Sequence, residues 1–125
     1  NIWHPFVDLK LSKQAVRQMA RDLGLTLSDK HSEACLCSRI AYGISMNEEL
    51  LARIEKAETI LKSFCQGPLR VRCLPYDLAM IDAADTEGAM RAKDKIGSAL
   101  RELGFAFVCL DLEGFVSGKL NRIIS

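Results

Sequence analysis

The apolar residues between positions 45 and 64 form the pattern that most restricts how this chain can fold. Their spacings of four, three, four and three residues place them on one face of an α-helix: Leu50, Ile54, Ala57, Leu61 and Phe64. Ser45 and Glu48 have the S-x-x-E spacing of a capping box, so the sequence predicts a helix from about Met46 to Phe64. Such a helix has to bury its apolar face against another layer of structure.

The segment after this helix alternates as β-strands do. The run LRVRCL at 69–74 places Arg70 and Arg72 on one face of a strand and apolar residues on the other. A tight turn leads into the run LAMID at 78–82, and the two runs together predict a β-hairpin.

A second helix and a third strand follow the hairpin. Asp85 or Thr86 can cap a helix whose apolar stripe runs from Ala89 to Leu103, and the run FAFVCLDL then predicts a strand. The order helix, strand, strand, helix, strand predicts an α+β fold. This is a small ferredoxin-like sandwich, with two helices on one face of an antiparallel sheet.

The first third of the chain has less regular patterning. Residues 12–23 predict a short helix that Ser12 caps and Gly24 ends. Residues 25–45 show neither a helical period nor a clean alternation, and we expect a long ordered loop with one helical turn. Loops of this length in compact proteins are usually functional or linking.

Composition excludes several classes of protein. The net charge of +1 in 125 residues gives no basic field of the kind that nucleic-acid binding needs. No apolar run approaches the roughly 20 residues of a membrane-spanning helix, and no secretory signal pattern is present. Five cysteines, an odd number, fit a reducing compartment, so we expect a cytoplasmic protein. Because the first residue is Asn1 and not Met, we also expect this chain to be part of a longer one.

Two cysteines lie one residue apart in the predicted loop, in the segment SEACLCSRIAYG. Cys35 and Cys37 form a C-x-C pattern without a second pair, which is a weak indication of structural zinc, although His31 could add a ligand. Lys30 and Arg39 are close in sequence, and positive charge lowers the pKa of a thiol, which favours a reactive cysteine. Metal binding, sulfur chemistry and simple packing all stay open on this pattern alone.

Other charged residues have two interpretations each. Arg70 and Arg72 could clamp a phosphate or carboxylate, or could be solvated on an exposed sheet face. Asp111 and Glu113 form either a solvated strand end or a pair of acids. The tail GFVSGKLNR can approach an anion, but it is neither a Walker motif nor a dinucleotide fingerprint.

Four motifs occur in order along the chain: ACLCSRIAYG, IEKAE, LRVR and LDLEGFVSGKLN. Together with the LSKQAVRQMARDLGL helix, they resemble the C-terminal part of the LarE-type ATP-dependent sulfur transferases, members of the PP-loop ATP pyrophosphatase superfamily. The resemblance implies that residues 1–44 are the end of a PP-loop α/β domain. It implies that residues 45–125 form a small α+β C-terminal domain.

The resemblance also implies a role in making a nickel-pincer nucleotide cofactor. There the enzyme adenylates a carboxylate of a nicotinate-derived dicarboxylate mononucleotide and then delivers sulfur to it. In some members a protein cysteine supplies the sulfur and is left as dehydroalanine, and in others several cysteines hold an iron–sulfur cluster. On this chain, the resemblance makes Cys35 the sulfur donor, with neighbours that bind substrate or organise the site: Ser38, Arg39, Glu58 and Arg70. Cys35 and Cys37 would be the ligands of a metal or cluster.

The sequence departs from the family pattern at three points. The ATP-binding S-G-G-x-D-S loop is absent, so ATP and magnesium are expected to bind an N-terminal part outside this chain, which alone is expected to be inactive. Cys37 stands where the family often has Ala, which favours a metal-binding or two-thiol variant. Ala41, Val116 and Lys119 also differ, which leaves the identity of the substrate open.

Two further functions are kept as alternatives. One is a non-catalytic oligomerisation module or a metal- or cluster-binding module. The other is an RNA-thiolating PP-loop relative, against which the near-neutral charge argues. The expected partners are a nucleotide-like small molecule and further copies of the chain in a homo-oligomer, with no membrane.

Overall fold

The computed structural model describes residues 4–25, 35–116 and 119–123. It divides the chain into two compact units, Asn1–Glu33 and Ala34–Ser125.

The described part of the first unit contains two helices, α1 (Pro5–Asp8) and α2 (Lys13–Asp22). Ser12 caps α2, because its hydroxyl oxygen accepts a hydrogen bond from the Ala15 backbone N–H at 3.2 Å. Gly24 follows the helix with a φ of 70°, the left-handed conformation that ends helices. The predicted short helix is therefore confirmed.

The second unit contains a three-stranded sheet in the order β1 (Leu69–Leu74), β2 (Leu78–Ala83), β3 (Phe107–Leu110). β1 and β2 pair antiparallel, which confirms the predicted hairpin. β2 and β3 pair parallel, so the expectation of an antiparallel sheet is wrong and the sheet is mixed. The helical connection after β2 crosses over the sheet, and a strand that returns by such a crossover runs parallel to the strand it left.

Three helices accompany this sheet: α3 (Glu48–Lys62), α4 (Thr86–Arg91) and α5 (Lys93–Glu102). The predicted capping box at Ser45 is wrong, because the Asn47 side chain caps α3 by accepting the Leu50 backbone N–H at 2.7 Å. The helix predicted after the hairpin is interrupted at Ala92, which separates α4 from α5.

The core lies between one face of the sheet and the helices α3 and α5. The side chains of Ile54, Leu61 and Leu100 from the helices, and of Val71 from β1, have no exposed surface. The apolar stripes read from the sequence therefore face the sheet. The α+β class is confirmed, with five α-helices and a mixed three-stranded sheet in the described part of the chain.

Two other expectations concern the arrangement of domains and membranes. The assignment of the first part of the chain to a PP-loop domain and the boundary at residue 44 stay predictions. None of the helices in the described residues combines the length and the apolar character that a membrane span requires.

Candidate functional site

The sheet face that α3 and α5 do not cover carries charged side chains. Successive residues of a strand point to opposite faces, so Val71 enters the core while Arg70 and Arg72 lie on the other face. Asp82 of β2 is paired with Arg70 in the antiparallel register and shares that face. Arg70, Arg72 and Asp82 are all buried, so the interpretation of solvated arginines does not hold.

The cysteine segment lies along the free edge of β1. Leu36–Arg39 forms a 3₁₀ turn, and Ile40 then pairs with Cys73 in a parallel bridge. The Arg72 Nη1 donates to the carbonyl oxygen of Ser38 at 3.3 Å, so strand and turn are tied together. The helical turn predicted for this loop is present, and His31 lies outside the described residues.

Arg39 connects the cysteine turn to helix α3. Its Nε donates to Glu58 Oε1 at 2.9 Å, and the same oxygen accepts the Val71 backbone N–H at 3.1 Å. Its Nη1 lies 3.2 Å from both the Cys35 carbonyl oxygen and the Ser38 Oγ. Both members of the ion pair are buried, with exposed side-chain fractions of 7% and 10%. Arg39 is therefore held in a fixed position between the turn and the helix.

A second buried ion pair lies beside the first. Arg72 Nε donates to Asp82 Oδ2 at 2.5 Å, with side chains 2% and 0% exposed. Burial raises the pKa of Asp82, although Arg72 and Lys119 favour its charged form. Arg72 Nη2 has no hydrogen-bond partner among the described residues, so Arg72 retains a donor.

The segment after β3 supplies a third cation. The Lys119 Nζ donates to Asp111 Oδ2 and, at 3.0 Å, to the Gly114 carbonyl oxygen. The hydrogen bond from Lys119 Nζ to the Asp111 carboxylate is the main reason why the pKa of Asp111 is lowered. Asp111 is thus not a solvated strand end. Lys119 Nζ also lies 3.5 Å from Glu113 Oε2, and the Glu113 carboxylate accepts from Arg122 at 2.7 Å, so cations hold both acids.

Arg70 differs from the other buried cations. Its guanidinium lies over the Phe115 ring, 4.7 Å from the centroid, and no carboxylate pairs with it in the part of the chain that the structure describes. Burial lowers the pKa of Arg70, and the charges of Arg39 and Arg72 lower it further. An anion that binds next to such a group stabilises its charged form.

All the buried charged residues in the described ranges belong to this cluster: Arg39, Glu58, Arg70, Arg72, Asp82 and Lys119. Together with Asp111 they comprise four cations and three carboxylates, so the cluster has one positive charge in excess. Charged residues are rarely buried without a functional or paired role. The arrangement can therefore hold an anionic group such as a phosphate or a carboxylate.

The two thiols of the turn lie next to this cluster and are both exposed. Hydrogen bonds from the Cys37 backbone N–H and the Cys37 thiol lower the pKa of Cys35, and the charge of Arg39 adds to this effect. The same contact between the thiols raises the pKa of Cys37. The hydrogen bonding within the pair therefore favours loss of the first proton at Cys35.

A metal site at these thiols needs more ligands than the described residues provide. Across residues 4–25, 35–116 and 119–123, His, Cys, Asp and Glu side chains form no group of three that could hold a metal ion. The assignment of Cys35 and Cys37 as metal ligands stays a prediction.

The structure brings together the site residues that were predicted from the sequence. Arg39 contacts Cys35, Ser38 and Glu58, and its charge also acts on Arg70. Their catalytic and binding roles stay predictions.

Sequence reasoning missed Asp82 and the contact of Phe115 with Arg70. It named three further residues only with alternative interpretations, without bringing them into one site: Arg72, Asp111 and Lys119. Alternation along β1 placed Arg72 beside Arg70, and the closing motif LDLEGFVSGKLN contained three of the others. Nothing in the sequence pattern pointed to Asp82, because its role depends on the register of β1 and β2.

A cavity of about 530 Å³ lies elsewhere, around the turn between β1 and β2. Arg53, Cys73 and Asp77 are among its lining residues, and Arg53 Nη2 donates to Asp77 Oδ1 at 2.6 Å. It contains none of the predicted site residues.

Comparison with known proteins bears on the identity of the chain. No family model matches it. It is 34% identical over 115 residues to the pyridinium-3,5-bisthiocarboxylic acid mononucleotide synthase of Lactiplantibacillus plantarum, a match that covers 90% of this chain and 41% of that protein. It is 36% identical over 125 residues to an uncharacterized Synechocystis protein, covering 97% of this chain and 46% of the relative. An uncharacterized protein of Methanocaldococcus jannaschii is 32% identical over 114 residues, covering 90% and 44%.

These matches confirm the resemblance in its coarse form. The chain spans less than half the length of each of these relatives. Over nearly all of its own length, the chain is similar to a synthase of the LarE type.

Proposed function

We propose that this chain is the sulfur-donating part of a LarE-type sulfur transferase, in which Cys35 delivers sulfur to an adenylated carboxylate of a pyridinium dicarboxylate mononucleotide. The observation that carries the proposal is the exposed thiol of Cys35, a residue whose carbonyl oxygen accepts from Arg39 of a buried cluster with excess positive charge. The relative from L. plantarum, whose name describes a pyridinium bisthiocarboxylic acid product, supports this choice of substrate.

Cys35 suits the role of nucleophile better than its neighbour. Hydrogen bonding by Cys37 and the charge of Arg39 lower the pKa of Cys35, so its thiolate forms first. The pKa of Cys37 is raised, which leaves that thiol protonated over the same range of pH. The thiolate is the reactive form of cysteine.

The cluster suits the role of binding the anionic substrate. Arg70 is buried and has no carboxylate partner among the described residues, so a carboxylate or phosphate would supply the missing counter-charge. Arg39 and Arg72 are each held by an acid, and they keep the guanidinium of Arg70 in a positive environment. Guanidinium groups bind both carboxylates and phosphates through paired hydrogen bonds.

The reaction then has two steps. The Cys35 thiolate attacks the carbonyl carbon of the acyl adenylate, forming a thioester and releasing AMP. A base removes the Cα proton of residue 35, the Cβ–Sγ bond breaks, and the thiocarboxylate leaves with the sulfur. Residue 35 becomes dehydroalanine, and no oxidant or reductant is needed.

The resemblance implies two bound groups, ATP with magnesium and an iron–sulfur cluster, and the two fit this chain differently. Its sequence contains no S-G-G-x-D-S loop to bind ATP, so adenylation would be carried out by another part of the enzyme. Only two thiols meet at the turn, and no third ligand joins them among the described residues, so no step is assigned to an iron–sulfur cluster.

The proposal is tested by Cys35→Ala in the full-length natural polypeptide. The protein is incubated with ATP, magnesium and pyridinium-3,5-dicarboxylate mononucleotide, and thiocarboxylate formation and intact protein mass are followed. We expect no thiocarboxylate from this variant, whereas Cys109→Ala, which removes another exposed thiol, reacts normally. Unchanged sulfur transfer by Cys35→Ala would show that the donor is assigned wrongly.

The metal- or cluster-binding module makes a different prediction from the same pair of thiols. It requires a visible charge-transfer band after anaerobic iron loading, and Cys37→Ala should abolish that band. The sulfur-donor proposal instead expects Cys35 to lose mass equal to one molecule of hydrogen sulfide without added iron.

A further inference from the structure

The carbonyl oxygen of Cys35 accepts an unusual set of hydrogen bonds. The Ser38 backbone N–H donates to it at 2.9 Å, and the Ser38 hydroxyl donates at 2.8 Å. The Arg39 guanidinium adds a third, charge-assisted bond at 3.2 Å. By contrast, the carbonyl oxygen of Cys37 in the same turn accepts the Ile40 backbone N–H at 3.2 Å.

The Arg39 and Ser38 side chains also form a chain of hydrogen bonds that ends at this carbonyl oxygen. Arg39 Nη1 lies 3.2 Å from Ser38 Oγ, so the guanidinium donates to the hydroxyl oxygen while the hydroxyl donates to the carbonyl oxygen of Cys35. Chains of this kind polarise one another. Glu58 holds Arg39 in place from helix α3, so these donors are positioned before any reaction takes place.

This arrangement matters for the second step of the proposed reaction. Loss of the Cα proton leaves an electron pair that spreads onto the carbonyl oxygen of the same residue, which becomes an enolate oxygen. Donors aimed at an oxygen where negative charge develops stabilise the transition state. The Cα–H of Cys35 would therefore be more acidic than that of an ordinary cysteine.

We infer that Ser38 and Arg39 form an oxyanion hole for the enolate of residue 35, and that this hole drives cleavage of the Cys35 Cβ–Sγ bond. A solvent base takes the Cα proton, because Cys35 is exposed. The electron pair returns from the oxygen to form the Cα–Cβ double bond, and the sulfur leaves with its acyl group as a thiocarboxylate. The inference rests on the proposed function and assigns Ser38 and Arg39 to the elimination, not only to substrate binding.

The test forms the leaving group chemically, so that it does not depend on ATP or on the substrate. Cys37→Ser and Cys109→Ser leave Cys35 as the exposed thiol among the described cysteines, since Cys65 and Cys73 are buried. A bis-alkylating dibromide, α,α′-dibromoadipamide, converts Cys35 to a cyclic sulfonium. Its elimination to dehydroalanine is then followed by intact mass and located by peptide mass spectrometry.

In the protein with Cys37→Ser and Cys109→Ser, we expect Ser38→Ala to slow elimination by about tenfold to a hundredfold. This is at or below the smallest rate loss typical of removing one oxyanion-hole donor, because residue 38 is exposed to water. Ser38→Thr keeps the hydroxyl and should eliminate at close to the parent rate. Ser63→Ala is the matched control, since it removes a hydroxyl that donates to the carbonyl three residues earlier at 2.7 Å, far along the chain from the turn.

Two further measurements make the result decisive. The parent protein unfolded in urea should eliminate at the slow rate of the Ser38→Ala variant, because the turn is lost. A protein with Cys35→Ser and Cys109→Ser, which leaves the exposed thiol at Cys37, should also eliminate slowly. Equal elimination rates in the parent and in folded Ser38→Ala would overturn the inference.

Turnover of the full-length enzyme separates this inference from the proposed function. With ATP, magnesium and pyridinium-3,5-dicarboxylate mononucleotide, Ser38→Ala should accumulate the Cys35 thioester in place of dehydroalanine. If the wild-type protein never modifies Cys35, the proposed function fails. The chemical elimination rates would still decide whether the hole stabilises the enolate.

Discussion

Glu58 provides the sharpest test of how the buried cluster is held together. Its Oε1 accepts hydrogen bonds from Arg39 Nε at 2.9 Å and from the Val71 backbone N–H at 3.1 Å. The variant Glu58→Gln keeps the shape of the side chain and an oxygen that can accept from Val71. It removes the negative charge, so Arg39 becomes a buried cation without its carboxylate.

The expected loss of stability follows from burial. Both side chains of the pair are at most 10% exposed, and removing one partner of such a pair costs about 3–5 kcal/mol. Because glutamine can keep the bond to Val71, we expect the lower end, about 3 kcal/mol. With a urea m-value of about 1–3 kcal/mol/M, the unfolding midpoint should fall by about 1–3 M.

Urea unfolding followed by circular dichroism measures this change. Glu55→Gln is the control, because Glu55 is exposed on the same helix and its substitution should change stability by no more than about 0.5 kcal/mol. Adding Arg39→Met to Glu58→Gln should cost little more, since it removes the buried cation that Glu58 no longer neutralises. Equal midpoints for Glu58→Gln and Glu55→Gln, or strictly additive losses in the double variant, would refute this reasoning.

Three further predictions follow from the helix cap, the thiol pair and the core. Asn47→Ala should destabilise the protein by about 1 kcal/mol in thermal unfolding, because the Asn47 side chain accepts the Leu50 N–H, whereas Ser45→Ala should have no such effect. A larger loss of stability in Ser45→Ala than in Asn47→Ala would instead support the capping box predicted at Ser45. The rate of Cys35 alkylation by iodoacetamide should reach half its maximum at a lower pH than that of Cys37, because the pKa of Cys35 is lowered and that of Cys37 raised; identical pH profiles in peptide mass spectrometry would contradict the assignment. Leu100→Ala should cost about 2–5 kcal/mol in urea unfolding, because this side chain is fully buried in the core, and a change within the range of surface substitutions would show that α5 does not pack as described.

The contact between the two cysteines explains how one turn can favour a thiolate at one of them. Two thiols in contact cannot both lose their protons easily, because the second negative charge would form next to the first. The backbone N–H of Cys37 and the charge of Arg39 both favour the thiolate at Cys35. Local hydrogen bonding therefore distinguishes two thiols that sequence spacing alone does not.

The sequence by itself determined the elements that depend on local patterning. The apolar spacing in α3, the alternation in β1 and the turn before β2 were sufficient to predict a helix followed by a hairpin, because period and turn chemistry act over a few residues. The motif order also identified Cys35, Ser38, Arg39 and Glu58 as site candidates, and the structure places them in contact through Arg39.

Only the tertiary structure decided how these elements combine. The parallel pairing of β2 with β3 depends on the crossover through α4 and α5, and single-sequence patterns carry no information on strand order. Asp82 entered the site because the register of two strands places it diagonally from Arg72, 10 residues away along the chain. Arg70 and Arg72 likewise depend on the C-terminal segment and the cysteine turn, since Phe115 lies against Arg70 and the Ser38 carbonyl oxygen accepts from Arg72. Those contacts form between residues distant in sequence, so only the folded chain brings the charges together and determines which are paired and which can accept an anion.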